Sequence, residues 1–257
     1  MTLTLWIFSI IQGLTEFLPV SSSGHLVLAK IWLGFKEHGL EMELWLHLAT
    51  LFSLLLYFRR DIARLFWGVF DPRRLEPDEQ KWPLLILIAT AITGAFGAAE
   101  RKALLASFGD AATTYWGFVI SGLILLATRG AKGKRHQLTP GDAVWFGLAQ
   151  ALSIIPSISR SGTTIACLLF LGVDRATAFR FSFIASIPAI AGAFLFELNA
   201  GSFAGSSPFA LASSFVVTFF LGLGSLVLLK RFVLKERFYW FGFYCLALGL
   251  LGLAAWR

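Results

Sequence analysis

The sequence predicts an all-α polytopic membrane protein with six transmembrane helices and two re-entrant helical hairpins, arranged as an inverted-topology repeat. Three observations favour this fold class. Hydrophobic residues make up 57% of the 257 residues and charged residues only 14%, a composition that is too apolar for an ordinary soluble globule. Apolar segments long enough to cross a bilayer recur along the chain. One polar turn also occurs twice, at Ser21 and again at Ser159.

Charge and cysteine usage exclude several classes of protein. The net charge is +7, but no basic run is interleaved with aromatic residues, so nucleic acid is not an expected partner. Cys167 and Cys245 lie in apolar runs without a metal-binding spacing, which predicts packing roles rather than a disulfide or zinc site. The N-terminus lacks the basic region and cleavage site of a signal peptide, so we expect the first residues to belong to the mature protein.

The first copy of the repeated stretch runs from Gln12 to His25. It predicts an apolar helix over 2–18 that stops at Pro19, a hydroxyl-rich turn, and a second helix over 24–34. Each helix is shorter than the roughly 20 residues that cross a hydrocarbon core. Two short helices around a polar turn are typical of a re-entrant hairpin.

The second copy, from Gln150 to Thr164, predicts a matching hairpin from helices over 140–155 and 162–173. The two copies align at a constant offset, which places Gln12 on Gln150, Ser21 on Ser159, Ser23 on Ser161 and Gly24 on Gly162, and replaces Ser22 by Arg160 and His25 by Thr163.

Six further segments are long enough to span the membrane. They lie near 43–59, 83–99, 113–128, 178–198, 208–229 and 238–256.

Basic residues predict the orientation of the spans, because Lys and Arg concentrate in cytoplasmic loops. The loops after the first, third and fifth spans are basic, whereas the loops at 100–112 and 199–207 carry little or no net charge. All three basic loops lie on one side if each hairpin returns to the face it entered. The single domain 1–257 then consists of inverted repeats at about 1–129 and 139–257, an architecture that brings broken helices together near the midplane. The two polar turns are therefore expected to form one composite site beside a cavity.

Glu16 and Arg160 are ionisable residues inside membrane segments, where charge usually marks a functional site. The alternative is that they only pair with each other and hold the hairpins together. Arg160 offers a planar fork of donors that suits phosphate, and a helix start with free N–H groups lies beside it. The predicted phosphate-binding residues are Gln12, Ser159, Arg160, Ser161, Gly162, Thr163 and Thr164.

The first hairpin supplies residues that suit catalysis. Ser22 could attack a phosphoryl group held by Arg160, with Glu16 or His25 taking the proton and Gln12 orienting water or a metal. For His25 the alternative is a hydrogen bond that only shapes the hairpin. Spacing alone leaves open whether Ser22, His25 or an activated water is the nucleophile. Glu43 and His47 begin a span, and they face either the cavity or the membrane interface.

At these residues the sequence resembles the undecaprenyl-diphosphate phosphatase family of bacteria, also called bacitracin-resistance proteins. Gln12 and Glu16 match the family's first motif, and the following Leu-Pro-Val-Ser-Ser-Ser-Gly-His matches through His25. The second motif, Pro-Gly-x-Ser-Arg-Ser-Gly-x-Thr, is met by Pro156, Ser159, Arg160, Ser161, Gly162 and Thr164. Ser157 departs from the family's usual Gly.

The resemblance implies a specific activity and setting. It implies hydrolysis of a C55 isoprenoid diphosphate to the monophosphate, which recycles the lipid carrier for peptidoglycan synthesis and confers bacitracin resistance. It further implies a divalent ion, Mg or Ca, near Glu16 with Gln12 beside it, and a multi-pass protein of the bacterial inner membrane whose site faces outward. The expected partners are the substrate and membrane lipids, and the sequence leaves open whether the protein forms a homodimer.

Two other functions compete with the phosphatase. A transporter or flippase of a phosphorylated isoprenoid lipid would also use inverted repeats with broken helices. A carrier needs only anion ligands, however, whereas a hydrolase also needs the Ser22, His25 and Glu16 set, so the sequence favours the enzyme. A structural scaffold does not explain polar turns at membrane depth.

Overall fold

A computed structural model of the protein describes residues 2–34, 40–99, 110–197 and 207–256. In these ranges the secondary structure is helical, apart from one isolated bridge between Arg135 and Val173. The α-helices are α1 Thr2–Thr15, α2 Ser22–Leu33, α3 Leu40–Tyr57, α4 Arg59–Phe70, α5 Trp82–Ala99, α6 Ala111–Ala127, α7 Pro140–Leu152, α8 Arg160–Phe170, α9 Arg175–Glu197, α10 Pro208–Leu234 and α11 Trp240–Ala255.

The two predicted helix pairs are present, with shifted boundaries. α1 ends at Thr15, earlier than the predicted stop at Pro19, because Pro19 has no N–H for the Thr15 carbonyl and its ring would clash with that carbonyl in a continuing helix. α2 ends at Leu33, and Gly34, in the left-handed conformation, caps it. α7 ends at Leu152 rather than at 155, and α8 begins at Arg160 rather than at 162.

Within the described ranges, four helices have the length and apolar composition needed to cross a membrane. They are α5, α6 extended to Gly130, α9 up to Leu195, and α10. The other two predicted spans are shorter apolar helices, at Met42–Tyr57 and Trp240–Ala255. The chain is therefore a polytopic membrane protein, while the count of six spans with two re-entrant hairpins stays a prediction. The predicted outer loops at 100–112 and 199–207 fall mostly outside the described residues.

The predicted basic loop at 60–82 contains a helix, α4, that the sequence analysis did not assign. Two carboxylates and two arginines attach this helix to α9. Arg180 of α9 lies 2.6 Å from Asp61 and 2.7 Å from Glu79, and Arg64 lies 3.0 Å from Asp61 and 3.2 Å from Glu79. Because each cation meets both carboxylates, the charges of this partly buried cluster neutralise one another.

Helices from the two halves of the chain pack on each other in a matching pattern. α1 packs on α10 of the second half, and α7 packs on α5 of the first. The Thr218 hydroxyl donates to the Ser9 carbonyl across the first contact, and the Thr93 hydroxyl donates to the Gly147 carbonyl across the second. Ser9 and Gly147 are equivalent positions of the two copies. This correspondence follows the repeat, and the opposite orientation of the halves stays a prediction.

α9 lies at the centre of the molecule and contacts α3, α5, α8 and α10. Its aromatic residues anchor the core around the first hairpin. Phe183 packs edge-on against Phe17, with ring centroids 5.7 Å apart, and stacks against Phe58. α9 therefore forms one wall of the space between the two polar turns.

Candidate active site

Each polar turn ends in the same helix start. The Ser21 side chain accepts from the backbone N–H of Gly24 at the start of α2, and the Ser159 side chain accepts from that of Gly162 at the start of α8. Both serines are therefore N-caps. Ser22 and Arg160 are consequently the first residues of their helices, beside the free N–H groups of the first turn.

The Glu16 carboxylate lies at the centre of the cluster between the hairpins. Its Oε2 accepts from Ser22 Oγ at 2.5 Å and from Gln12 Nε2 at 2.8 Å. Its Oε1 lies 3.5 Å from Nη1 of Arg160. The Glu16 side chain is only 6% exposed, so these donors and the guanidinium together compensate a carboxylate that has little contact with solvent.

Arg160 extends from the second hairpin to the first. A distance of 3.5 Å to Glu16 is an ion-pair contact rather than a short hydrogen bond. About a third of the side chain stays exposed, so its N–H donors can reach a ligand. Glu16 and Arg160 line a small cavity with Ser161 and Thr164 of α8 and Ser182 and Ser186 of α9, and Phe17, Phe183 and Ile190 form its apolar wall. The cavity thus combines polar groups that can hold phosphate with apolar groups that can contact a lipid chain.

The other predicted phosphate ligands of the second hairpin differ in their surroundings. Ser161 lines the cavity directly. The Thr164 hydroxyl donates to the Arg160 carbonyl and pairs with the Ser182 hydroxyl, so it also fixes α8 against α9. The Thr163 hydroxyl is buried and has no hydrogen-bond partner among the residues that the structure describes. A Cβ added to Gly162 would approach the Ser159 side chain and Pro19 of the first hairpin, so this glycine allows the two turns to lie close together.

The structure places the His25 ring against Tyr244 and Phe118 rather than against Glu16. Its Nδ1 lies 2.7 Å from the Ser21 carbonyl oxygen, its Nε2 lies 2.7 Å from the Tyr244 hydroxyl, and its ring stacks on Tyr244 and packs edge-on against Phe118. Among the described residues no hydrogen bond or ion pair joins His25 to Glu16, Ser22 or Arg160. The contacts of His25 are those of a residue that holds the hairpin turn, and its catalytic role stays a prediction without geometric support.

His47 enters the cluster, although the sequence analysis left its position open. Its Nε2 lies 3.5 Å from Oε2 of Glu16, and its Nδ1 lies 2.8 Å from the Glu43 carbonyl oxygen. The Glu43 side chain in turn pairs with Lys30 of α2. A histidine and a carboxylate one turn apart on a predicted span are the only sequence signal for this arrangement. The approach to Glu16 depends on how α3 packs against α1.

Gln12 is the second predicted metal ligand. Its side chain is fully buried, its amide nitrogen donates to Glu16, and its Oε1 has no hydrogen-bond partner in the described part of the chain. Within the described ranges, no three His, Cys, Asp or Glu side chains come together as a metal-binding cluster. A buried amide oxygen next to a carboxylate nevertheless fits a hard cation, which takes oxygen ligands and often completes its shell with substrate phosphates.

Ser157 occupies the left-handed region, with a φ of 67°. The family's usual Gly adopts this conformation without strain, whereas a residue with a Cβ does not. The Ser157 hydroxyl is buried without a partner, while its backbone N–H donates to Ser23 and its carbonyl accepts from Ser121. The serine therefore keeps the turn's geometry and its backbone contacts at an energetic cost.

We expect Ser157→Gly to stabilise the protein. The substitution relieves the left-handed strain and removes a buried unpaired hydroxyl. Glycine also gives the unfolded chain more conformational freedom, but this effect is smaller, so the free energy of unfolding should rise by about 1 kcal/mol. For a chain of this size that corresponds to a rise of roughly 2–4 °C in the unfolding temperature in detergent. Ser153→Gly, which changes the same residue type at a right-handed position, serves as the control and should lower that temperature. A lower unfolding temperature for Ser157→Gly would contradict the claim that Ser157 is strained.

Comparison with known proteins identifies close relatives along nearly the whole chain. A family model described as bacitracin resistance protein BacA matches residues 5–251. A protein of Desulfosudis oleivorans named undecaprenyl-diphosphatase is 38% identical over 97% of this chain and 96% of its own length. Proteins of the same name from Treponema denticola and Carboxydothermus hydrogenoformans are 36% and 38% identical, each over 95% of this chain and 93% of the relative.

Proposed function

The chain belongs to the bacitracin resistance protein BacA family, and on that basis we propose that it is an undecaprenyl-diphosphatase. The reaction is hydrolysis of the C55 isoprenoid diphosphate to the monophosphate and inorganic phosphate. The product is the lipid carrier of peptidoglycan synthesis, so the activity supports cell-wall formation and bacitracin resistance. The cavity suits such a substrate because its polar groups lie beside an apolar wall.

One observation carries the assignment of the site. The Glu16 carboxylate contacts the Ser22 hydroxyl of the first hairpin and the Arg160 guanidinium of the second. A base, an oxygen nucleophile and a phosphate-binding cation thus meet at one point, although Ser22 and Arg160 are far apart in sequence. Phosphoryl transfer requires mainly this positioning and the neutralisation of charge.

The geometry supports Ser22 as the nucleophile and Glu16 as its base. The Ser22 proton passes to Glu16 Oε2, to which it is already donated. Ser22 Oγ forms a bond to the terminal phosphorus, and the bridging P–O bond breaks to release isoprenyl monophosphate. Water then attacks the phosphoserine, giving inorganic phosphate and restoring the serine. Arg160 and the first turn of α8 stabilise the negative charge on the phosphoryl oxygens.

Glu16 and Gln12 would hold a divalent cation, Mg or Ca, through the carboxylate and the buried amide oxygen. When bound, such an ion would neutralise charge on the diphosphate.

We place the protein in the bacterial inner membrane with the cavity open to the outer side. The basic loops support this orientation, since they are expected in the cytoplasm. In a Cys167→Ala, Cys245→Ala background, we expect a membrane-impermeant thiol reagent applied from outside to label Ser206→Cys and not Arg73→Cys. Permeabilised cells, in which both positions should react, provide the control. Labelling of both from the same side in intact cells would contradict the inverted repeat.

The activity is tested by phosphate release from undecaprenyl diphosphate with detergent-purified protein. We expect release by the wild type, a fall of at least tenfold after chelation of divalent cations, and recovery when Mg or Ca is restored. Undecaprenyl monophosphate as sole substrate provides the specificity control and should yield little phosphate. Folded protein that binds the diphosphate but releases none would instead support the lipid carrier.

A further inference from the structure

An apolar groove lies outside the candidate active site, between α4, α5 and α9. Its volume is about 230 Å³, and apolar side chains alone line it. The lining includes Ile62, Phe66 and Val69 of α4, Ile86 of α5, and Ile187 and Pro188 of α9. The cavity residues of α9, Ser182 and Ser186, do not line the groove.

The helix that closes the groove is amphipathic along its length. The second half of α4 exposes large apolar side chains, with Phe66 57%, Trp67 55% and Phe70 73% exposed. The first residues, Arg59 and Arg60, are exposed and basic. A short amphipathic helix that carries exposed basic residues together with exposed Phe and Trp side chains is typical of one that lies in the membrane interface.

Two arginines at the start of α4 are free to bind an anion. The other nearby cations, Arg64 and Arg180, are neutralised by Asp61 and Glu79. In the part of the chain that the structure describes, no carboxylate pairs with Arg59 or Arg60. Among the described residues, the hydrogen bond of the Arg59 guanidinium goes to the carbonyl of Leu56. Arg59 lies on the same helical stripe as Ile62 and Phe66, at spacings of three and seven residues, so its charge lies at the end of the groove.

From this placement we propose that the groove binds one anionic phospholipid of the membrane. An acyl chain fills the apolar groove, and the phosphate is held by Arg59 and Arg60. A net negative headgroup suits the two unpaired guanidiniums, whereas a zwitterionic headgroup brings a cation of its own. Under the predicted orientation of the basic loops, this lipid belongs to the cytoplasmic leaflet. The inference does not depend on the phosphatase activity.

Native mass spectrometry of the full chain in detergent tests the site with two phospholipids that carry identical acyl chains. We expect phosphatidylglycerol to bind about 30-fold more tightly than phosphatidylcholine, from the attraction of two arginines. The Arg59→Gln, Arg60→Gln double variant should bind both lipids equally. The Lys230→Gln, Arg231→Gln double variant, which removes the same charge from two exposed residues at the end of α10, should keep the preference.

The groove itself is tested by filling it. Ile187→Trp should weaken binding of both phospholipids at least tenfold, and Val69→Trp, at a position 59% exposed, provides a variant that folds if Ile187→Trp does not. Equal binding of the two lipids by the wild type would overturn the proposal, as would loss of the preference in both double variants. A dimer that dissociates in Val69→Trp without bound lipid would assign the groove to a second copy of the chain and also overturn it.

Discussion

Ser22→Ala is expected to lower phosphate release from undecaprenyl diphosphate by about 10⁴-fold, the scale on which hydrolases lose activity when a nucleophile is removed. The physical reason is the 2.5 Å hydrogen bond from Ser22 Oγ to Glu16, which prepares this hydroxyl alone for deprotonation. Rates are measured with purified protein at saturating lipid, and unfolding temperature confirms that the variant is folded.

Ser23→Ala is the matched control for this change. Ser23 is the next residue of the same turn, but its hydroxyl lies beside Ser21 Oγ and the backbone N–H of Ser157 rather than at Glu16. We expect its rate to fall less than tenfold. If Ser22→Ala keeps more than a tenth of the wild-type rate, water rather than Ser22 attacks the phosphorus. Acid quenching with radiolabelled diphosphate then provides an independent check, since only the serine mechanism leaves labelled phosphoserine.

Arg160→Ala is expected to lower the same rate by about 10³-fold, because phosphoryl transfer loses a comparable factor when an arginine that neutralises the transferred group is absent. The 3.5 Å separation from Glu16 leaves the guanidinium donors available to the phosphate. Arg160→Lys should fall in between, because an ammonium keeps the charge but lacks the planar fork. The measurement is again phosphate release, together with lipid binding.

Arg129→Ala controls for the loss of one arginine, since Arg129 lies over the Tyr239 ring and away from the cavity. It should hydrolyse lipid at close to the wild-type rate. The alternative role for Arg160, as a partner of Glu16 only, predicts a different pattern. In that case Arg160→Ala would lower the unfolding temperature but leave the rate per folded molecule nearly unchanged, and Arg160→Lys would restore the unfolding temperature.

The second copy of the repeat explains why only one hairpin is expected to carry the base. Gln150 occupies the position of Gln12, but the position of Glu16 is taken by Ile154. The Gln150 amide nitrogen accordingly donates to the Thr93 hydroxyl rather than to a carboxylate. The two turns share their caps and differ in their chemistry, one supplying the base and the hydroxyl, the other the cation.

The local hydrophobic pattern and the repeated stretch predicted those parts of the site that depend on residues close together in the sequence. The two helix pairs and the meeting of the two polar turns at Glu16 and Arg160 follow from the duplicated turn and from the need to compensate charge inside a membrane, whereas both second helices begin two residues earlier than predicted. The contact between Arg160 and Glu16 could be predicted because few other charged groups inside the membrane could neutralise either of them.

The remaining features depend on tertiary packing that no local pattern encodes. His47 lies near Glu16 because α3 packs with that face against α1. His25 instead contacts the hydroxyl of Tyr244, which is distant in sequence. α4 lies in a stretch whose basic residues favour a cytoplasmic loop rather than a helix. These three features are set by contacts between helices that are far apart in the chain.

Because helices of one half pack on helices of the other, the order of synthesis limits when the fold can form. α1 packs on α10, and their connecting hydrogen bond joins Ser9 to Thr218. At a synthesis rate of about 5–20 residues per second, α1 therefore waits roughly 10–40 s on the ribosome before its partner emerges. For most of that interval, until residue 160 has been synthesised, the polar turn after α1 also lacks Arg160. Neither half of the chain contains a complete set of packing partners, so the mature arrangement can form only after both halves have been inserted.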